Sequence, residues 1–334
     1  MLFGDEFPDF FDLVSWKLIL FIILICILRA WLKGTQFKEH VSCKNMVAVV
    51  TGANCGIGKQ IVRDLNIRGA KVHLLCRDKE KGANAISELL NLGCNPERMV
   101  LHQVDLTSFQ SVRNCAKQLN REEEKLDVLI NNAGVMLYPK FKLTEDGHEL
   151  TWQTNYLSHF LLTELLLPLL GQSELGGRVV NVSALAHFYA DGLDLATIDR
   201  RDRWDSRQAY AHSKLAMVMH ARELSKRLRR DDINISVNSC HPGLCYTRLM
   251  RHTPLSTSPL VKYPLMPLAW FILKTPKDGA QTPLCVALSK KLQGTTGKYF
   301  SDCHEKDASD LAGDKELSEQ LYEYSLQTTA PLSQ

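Results

Sequence analysis

A continuous apolar strand that runs straight into a glycine-rich turn constrains this chain more than any other feature. Met46–Thr51 (MVAVVT) carries no charge and no chain breaker, the composition of a strand buried on both faces. It leads into Thr51-Gly52-Ala53-Asn54-Cys55-Gly56-Ile57-Gly58-Lys59, and a helical pattern follows to about Arg68. Gly52 permits a tight turn. Gly56 and Gly58 let a pyrophosphate and the sheet approach the backbone. The helix start then offers free N–H groups and the positive end of its dipole to phosphates. Taken alone, the same pattern also describes a flexible turn.

The rest of the chain keeps the strand–helix alternation. Lys71–Cys76, Met99–Val104, Leu126–Ile130, Arg178–Ser183 and Ile233–Cys240 read as strands. Ala83–Leu92, Ser108–Asn120, Leu150–Leu170 and Tyr210–Arg229 read as helices. Such alternation predicts a doubly wound α/β fold with a parallel sheet and right-handed crossovers. Residues 45–334 form one catalytic domain in this reading.

Further motifs fall where such a sheet binds ligands. Asp105-Leu106 ends the third strand, where a carboxylate meets an adenine edge. Asn131-Asn132-Ala133-Gly134 closes the fourth, at the carboxyl edge. Tyr210-Ala211-His212-Ser213-Lys214 places a tyrosine and a lysine four apart on one helix face. A tyrosine of pKa near 10 is a poor acid or base at neutral pH. A neighbouring ammonium is expected to lower that value by roughly one to three units. A solvated helix face would show the same spacing.

Composition excludes several classes. Of 334 residues, 45% are hydrophobic and 23% charged, ordinary for a globular chain. The formal charge of +3 is too small for a dedicated nucleic-acid binder. Ten scattered cysteines without a CxxC pair argue against zinc, thiol-redox chemistry and a disulfide scaffold. They suggest a reducing compartment. His212 and His241 flank the tyrosine motif without metal-ligand spacing. Asn181-Val182-Ser183 and Asn234-Ile235-Ser236 match a glycosylation triplet but fall in strand-like runs, and both read as chance matches in a buried sheet.

With TGxxxGxG, NNAG, YxxxK and Pro242-Gly243-x-x-x-Thr247 in order, the chain resembles the short-chain dehydrogenases/reductases over about residues 45–300. Gly297–Cys303 and the stretch from Lys274 to Thr282 look like the retinol dehydrogenases of that family. The resemblance implies a Rossmann-type sheet and a hydride exchanged with a nicotinamide. It implies Asn155 as holder of a relay water, Tyr210 as acid or base, and Lys214 also on the nicotinamide ribose. Pro242, Gly243 and Thr247 would lie at the nicotinamide end. Gly52, Asn54, Gly56, Ile57, Gly58, Lys59, Asp105, Leu106, Asn132, Ala133 and Gly134 complete the expected cofactor set. Family members carry a catalytic serine at the end of the fifth strand. Here that position reads Ala184, and only Ser183 keeps a hydroxyl. Neighbours on a strand face opposite ways, so Ser183 replaces the missing group only if the strand end bends.

Charge argues for NADP over NAD. The second strand ends Cys76-Arg77-Asp78, where NAD enzymes place an acid on the ribose. Arg77 can fork onto a 2′-phosphate, with Lys59 as a second cation. Asp78 is the counter-argument.

The N-terminus departs from the soluble pattern. Leu18–Leu28 is free of charge and proline, and Leu13–Leu32, with Trp16 and Trp31 at its ends, is expected to form a transmembrane anchor. A tail (1–12) precedes it and a polar linker (33–44) follows. A cleaved signal peptide and a buried helix are the alternatives. The acidic tail argues against the first. Arg29, Lys33 and Lys38 follow the span, which would leave the domain cytosolic, with the endoplasmic reticulum as the expected membrane. Residues 254–275, apolar with four prolines, should cover the substrate without forming a regular transmembrane helix. The expected partners are a small apolar substrate of retinaldehyde/retinol type and the membrane, not nucleic acid; a homodimer stays open. A steroid, polyprenoid or fatty-aldehyde reductase is the rival reading, as is a nucleotide-binding scaffold with weakened catalysis.

Overall fold

The computed structural model describes residues 7–331, with side chains from Trp16 onward except at 254 and 255. Eight strands form one sheet in the order β3-β2-β1-β4-β5-β6-β7-β8. They are β1 (Val47–Thr51), β2 (Lys71–Cys76), β3 (Met99–Gln103), β4 (Val128–Asn131), β5 (Gly177–Val182), β6 (Ile235–His241), β7 (Tyr299–Ser301) and β8 (His304–Lys306). Every pairing is parallel except β7 with β8. The chain reverses its winding between β1 and β4, and the crevice outside their carboxyl ends is where such sheets take ligands.

Helices cover both faces. They are α1 (Phe7–Leu32), α2 (Gly56–Ile67), α3 (Lys79–Asn91), α4 (Phe109–Glu122), α5 (Leu150–Trp152), α6 (Ser158–Gly171), α7 (Ser206–Arg230), α8 (Pro254–Thr257), α9 (Pro259–Ile272), α10 (Pro276–Gly279), α11 (Gln281–Leu288) and α12 (Lys315–Thr328). The period of two in β1 divides the core. Val47 and Val49 pack towards α4, α6, α7 and α12, while Ala48 and Val50 pack towards α2, α3 and α11. Burial on both faces explains why the strand reads as unbroken apolar sequence.

Several expectations change. The segment with four prolines is helical over α9, with Pro264 and Pro267 inside it. Among the described residues of 254–275, Leu273 lies on the cleft wall, and Thr247–His252 line it as well. Asn181 is fully buried, but Asn234 lies exposed ahead of β6 rather than in the sheet. The linker is docked: the Phe37 backbone N–H donates to Gln281 Oε1 (3.0 Å) and Glu39 accepts from Ser289 Oγ (2.6 Å). Among the described residues no helix is long and apolar enough to cross a membrane. The described side chains of α1 cover residues 16–32, about 25 Å at 1.5 Å per residue. Residues 1–6 of the expected tail lie outside the described residues.

Candidate active site

A cleft of about 1600 Å³ opens at the carboxyl edge of β1, β4, β5 and β6. Gly52, Asn54, Gly56, Ile57, Arg77, Asp105, Leu106, Asn132, Ala133 and Gly134 line it. So do Tyr210, Lys214, Pro242, Gly243 and Thr247, with Thr247 directly beside Gly56. The glycines are needed by shape. Gly52 has φ +64°, and a Cβ there would sit 2.9 Å from Ala133 Cα. A Cβ on Gly58 would collide with the Gly52 carbonyl oxygen and lie 2.6 Å from Asn132 Nδ2. Gly58 therefore seals the turn from behind, and the start of α2 stays open towards the cleft. That cradle fits a dinucleotide pyrophosphate.

A clamp invisible to motif reading ties this turn to β4. Thr51 Oγ1 accepts from the backbone N–H groups of Asn132 and Ala133, both at 2.9 Å. Its own proton then goes to His159 Nε2, also 2.9 Å away. His159 Nδ1 must accordingly donate to the Asn155 carbonyl (2.9 Å). Burial pushes His159 down to about 4, so it remains the neutral imidazole this pattern requires.

Asn155 lies in a π turn, Gln153–Leu157, that joins α5 to α6. Such turns re-aim side chains at functional sites. Its amide is fully engaged: Oδ1 accepts from Val135 N (2.8 Å), and Nδ2 donates to Val135 O (2.9 Å) and Ser213 Oγ (3.0 Å). Lys214 Nζ donates to Val182 O (2.9 Å) and lies 5.8 Å from the Tyr210 ring centre. Both side chains are buried. Burial pushes Lys214 down to about 8 and raises the Tyr210 phenol above its ordinary value. The expected lowering of Tyr210 by the ammonium is thus reversed here, because the loss of hydration outweighs a partner that is turned towards a carbonyl.

Two expected site residues point elsewhere. Ser183 Oγ donates to the Lys214 backbone carbonyl (2.6 Å), inside the core beneath α7. Ala184 follows in extended conformation (φ −151°, ψ 164°), and its methyl lies on the cleft wall. Ser183 also borders the cleft, but its hydroxyl is taken up by the Lys214 carbonyl, and Ala184 carries none. Lys59 is ion-paired with Glu88 of α3 and is not on the cleft wall. Lys81 stands on the wall in its place, beside Arg77 and Arg248. Asp78 caps α3, accepting from Lys81 N (3.0 Å), and pairs with Lys81 Nζ (2.5 Å). Asp78 stays on the cleft wall as a carboxylate, held below its ordinary value by the Lys81 hydrogen bonds. His212 pairs with Asp191 (2.9 Å). His241 lies on the cleft wall with a buried Nδ1 that has no partner.

The doubly wound sheet and this cleft define a dinucleotide-dependent oxidoreductase class. A short chain dehydrogenase family model matches residues 46–256, and the chain belongs to the short-chain dehydrogenase/reductase family. It is similar to retinol dehydrogenase 13 of Mus musculus, 38% identical over 297 residues, 89% of this chain and 87% of the relative. It is as similar to the chloroplastic short-chain dehydrogenase TIC 32 B of Brassica napus, 39% identical over 294 residues, 86% and 90% of the two chains. An uncharacterised protein from Mycobacterium Paratuberculosis shares the fold with a TM-score of 0.70, 30% identity, and 89% and 97% coverage. The Pseudomonas aeruginosa RhlG/NADP complex matches with a TM-score of 0.61, 26% identity, and 79% and 96% coverage. Oxidoreduction between CH–OH and C=O with NAD(P) is the activity of the family.

Proposed function

We propose that this chain is an NADP-dependent reductase of apolar aldehydes or ketones, of retinaldehyde type, held on the endoplasmic reticulum by α1 with its domain in the cytosol. The observation that carries the reading is that Tyr210 and Lys214 line the same cleft as a closed glycine cradle, with Asn155 bonded behind the wall to Val135 and Ser213. NADPH, when bound, would supply the hydride and leave as NADP+. Gly52, Gly56 and the start of α2 would hold its pyrophosphate, and Arg77 and Lys81 its 2′-phosphate. Tyr210 stays protonated at neutral pH because burial raises it, which suits donation of a proton to a carbonyl oxygen. Lys214 and the Asn155 backbone order the polar groups around it. The relatives named retinol dehydrogenase support an isoprenoid aldehyde; a fatty or steroid carbonyl suits the same apolar wall.

NADPH consumption with an aldehyde panel tests the reading. Tyr210→Phe should keep NADPH binding, followed by its fluorescence, and lose turnover by about two to four orders of magnitude. Near-native rates in that variant would remove Tyr210 from the chemistry. A second reading, a nucleotide-binding scaffold with weakened catalysis, is favoured by one observation: Ala184 offers no hydroxyl where the family has one.

A further inference from the structure

Helix α9 turns an apolar surface outward. Leu260 is 88% exposed, Tyr263 74% and Trp270 66%, and Leu265, Leu268 and Ile272 are exposed as well. None of its residues is buried. A helix packed on a soluble domain hides its apolar stripe, and a contiguous exposed one marks an interaction surface. At 14 residues, about 21 Å, α9 is too short to span a bilayer.

Its position says what covers it. Arg29, at the end of the apolar run in α1, donates from Nη1 to the carbonyls of Phe271 (2.7 Å) and Leu273 (3.0 Å). Its guanidinium lies 5.3 Å from the Trp270 ring centre. These contacts satisfy orphan carbonyls at the C-terminal end of α9 and fix it beside the end of α1. Leu273 continues from α9 onto the cleft wall, and Arg248–His252 just before α8 line it too. From residue 247 to 277 the chain has no Asp or Glu, but it has Arg248, Arg251, Lys262 and Lys277, besides Lys274, which is buried and paired with Asp302. An apolar face among cations of one sign matches an anionic lipid surface. It opposes a second copy, whose cations would meet its own.

We propose that α9 lies in the headgroup–acyl boundary of an anionic leaflet, beside the point where α1 leaves the bilayer, so that the cleft receives its apolar substrate directly from lipid. This rests on the reading of α1 as an anchor and of the substrate as apolar.

The test uses the full chain in vesicles of phosphatidylcholine and phosphatidylserine that contain a lipid with a diazirine on its acyl chain. After irradiation, peptides are mapped by mass spectrometry. Adducts are expected in 259–272 as well as in 16–32, with α12 unlabelled. Labelling of 16–32 alone overturns the docking but leaves the anchor. Labelling of neither overturns both. Chain-to-chain cross-links through 259–272 place a second copy there and also overturn it. The labelling needs no turnover, so it decides the docking even if the proposed activity fails. In a kinetic arm, Leu260→Asp with Leu268→Asp should raise KM for a vesicle-borne long-chain aldehyde about tenfold or more. A short soluble aldehyde should keep its KM and kcat. An equal effect on both substrates, or none on either, counts against direct delivery.

Discussion

At the residue scale, one hydroxyl separates two neighbouring positions with different work. Both border the cleft, but the Ser183 hydroxyl bonds the Lys214 carbonyl and Ala184 has no hydroxyl to offer. Ser183→Ala should cost about 1 kcal/mol of stability, read by urea unfolding, and leave kcat within about threefold. Ala184→Ser adds a donor towards a developing oxyanion, worth up to about 2.7–4 kcal/mol in related settings, so kcat should rise by up to about a hundredfold. A loss of turnover in Ser183→Ala would reverse the assignment. Lys214 carries a second consequence. Burial holds it down to about 8, so its ammonium is present below that pH and lost as pH rises through it. Reduction by the wild type should fall above pH 8, in a profile of kcat/KM. Lys214→Arg, which stays charged, should move that limb upward by more than about one unit.

At the element scale, cofactor preference depends on how α2 and α3 dispose of their charges. The cap of α3 consumes Asp78, and the α2–α3 ion pair consumes Lys59. Arg77 is left on the cleft wall at the end of β2. Arg77→Asp should therefore lower the NADP/NAD ratio of kcat/KM by about tenfold or more. Lys59→Ala should leave that ratio within about threefold, since an exposed pair is worth little. Steady-state kinetics with both cofactors checks the two together. If Lys59→Ala shifts the ratio as far as Arg77→Asp, the ion pair with Glu88 opens when the cofactor binds.

At the scale of the whole molecule, the docked linker and the Arg29 contacts tie the N-terminal helix to the domain. If α1 anchors the chain as proposed, it fixes the side of the membrane on which the domain lies. Protease added to sealed microsomes should digest residues 45–334 without detergent. A domain protected until detergent is added would place it on the luminal side, against the cations that follow the run.

The sequence alone determined the sheet, its winding and the cleft's principal residues, because each is encoded locally. Unbroken apolar strands, glycines at fixed offsets and a tyrosine four residues before a lysine need no distant partner to be recognised. Short β7 lies within the family-like run 297–303 and β8 falls outside any sequence reading, since three-residue strands carry almost no periodic signal. The tertiary structure alone decided where competing polar groups went. Ser183 or Ala184, Lys59 or Lys81, a lowered or raised Tyr210: each depends on which neighbour from another element comes within bonding distance and how much water it excludes. The Thr51–His159–Asn155 clamp joins residues over a hundred positions apart, and no local pattern announces it. The outward face of α9 belongs to the same class. Apolar residues among prolines suggest a covered segment, and only the packing against α1 shows that the protein itself leaves that face uncovered.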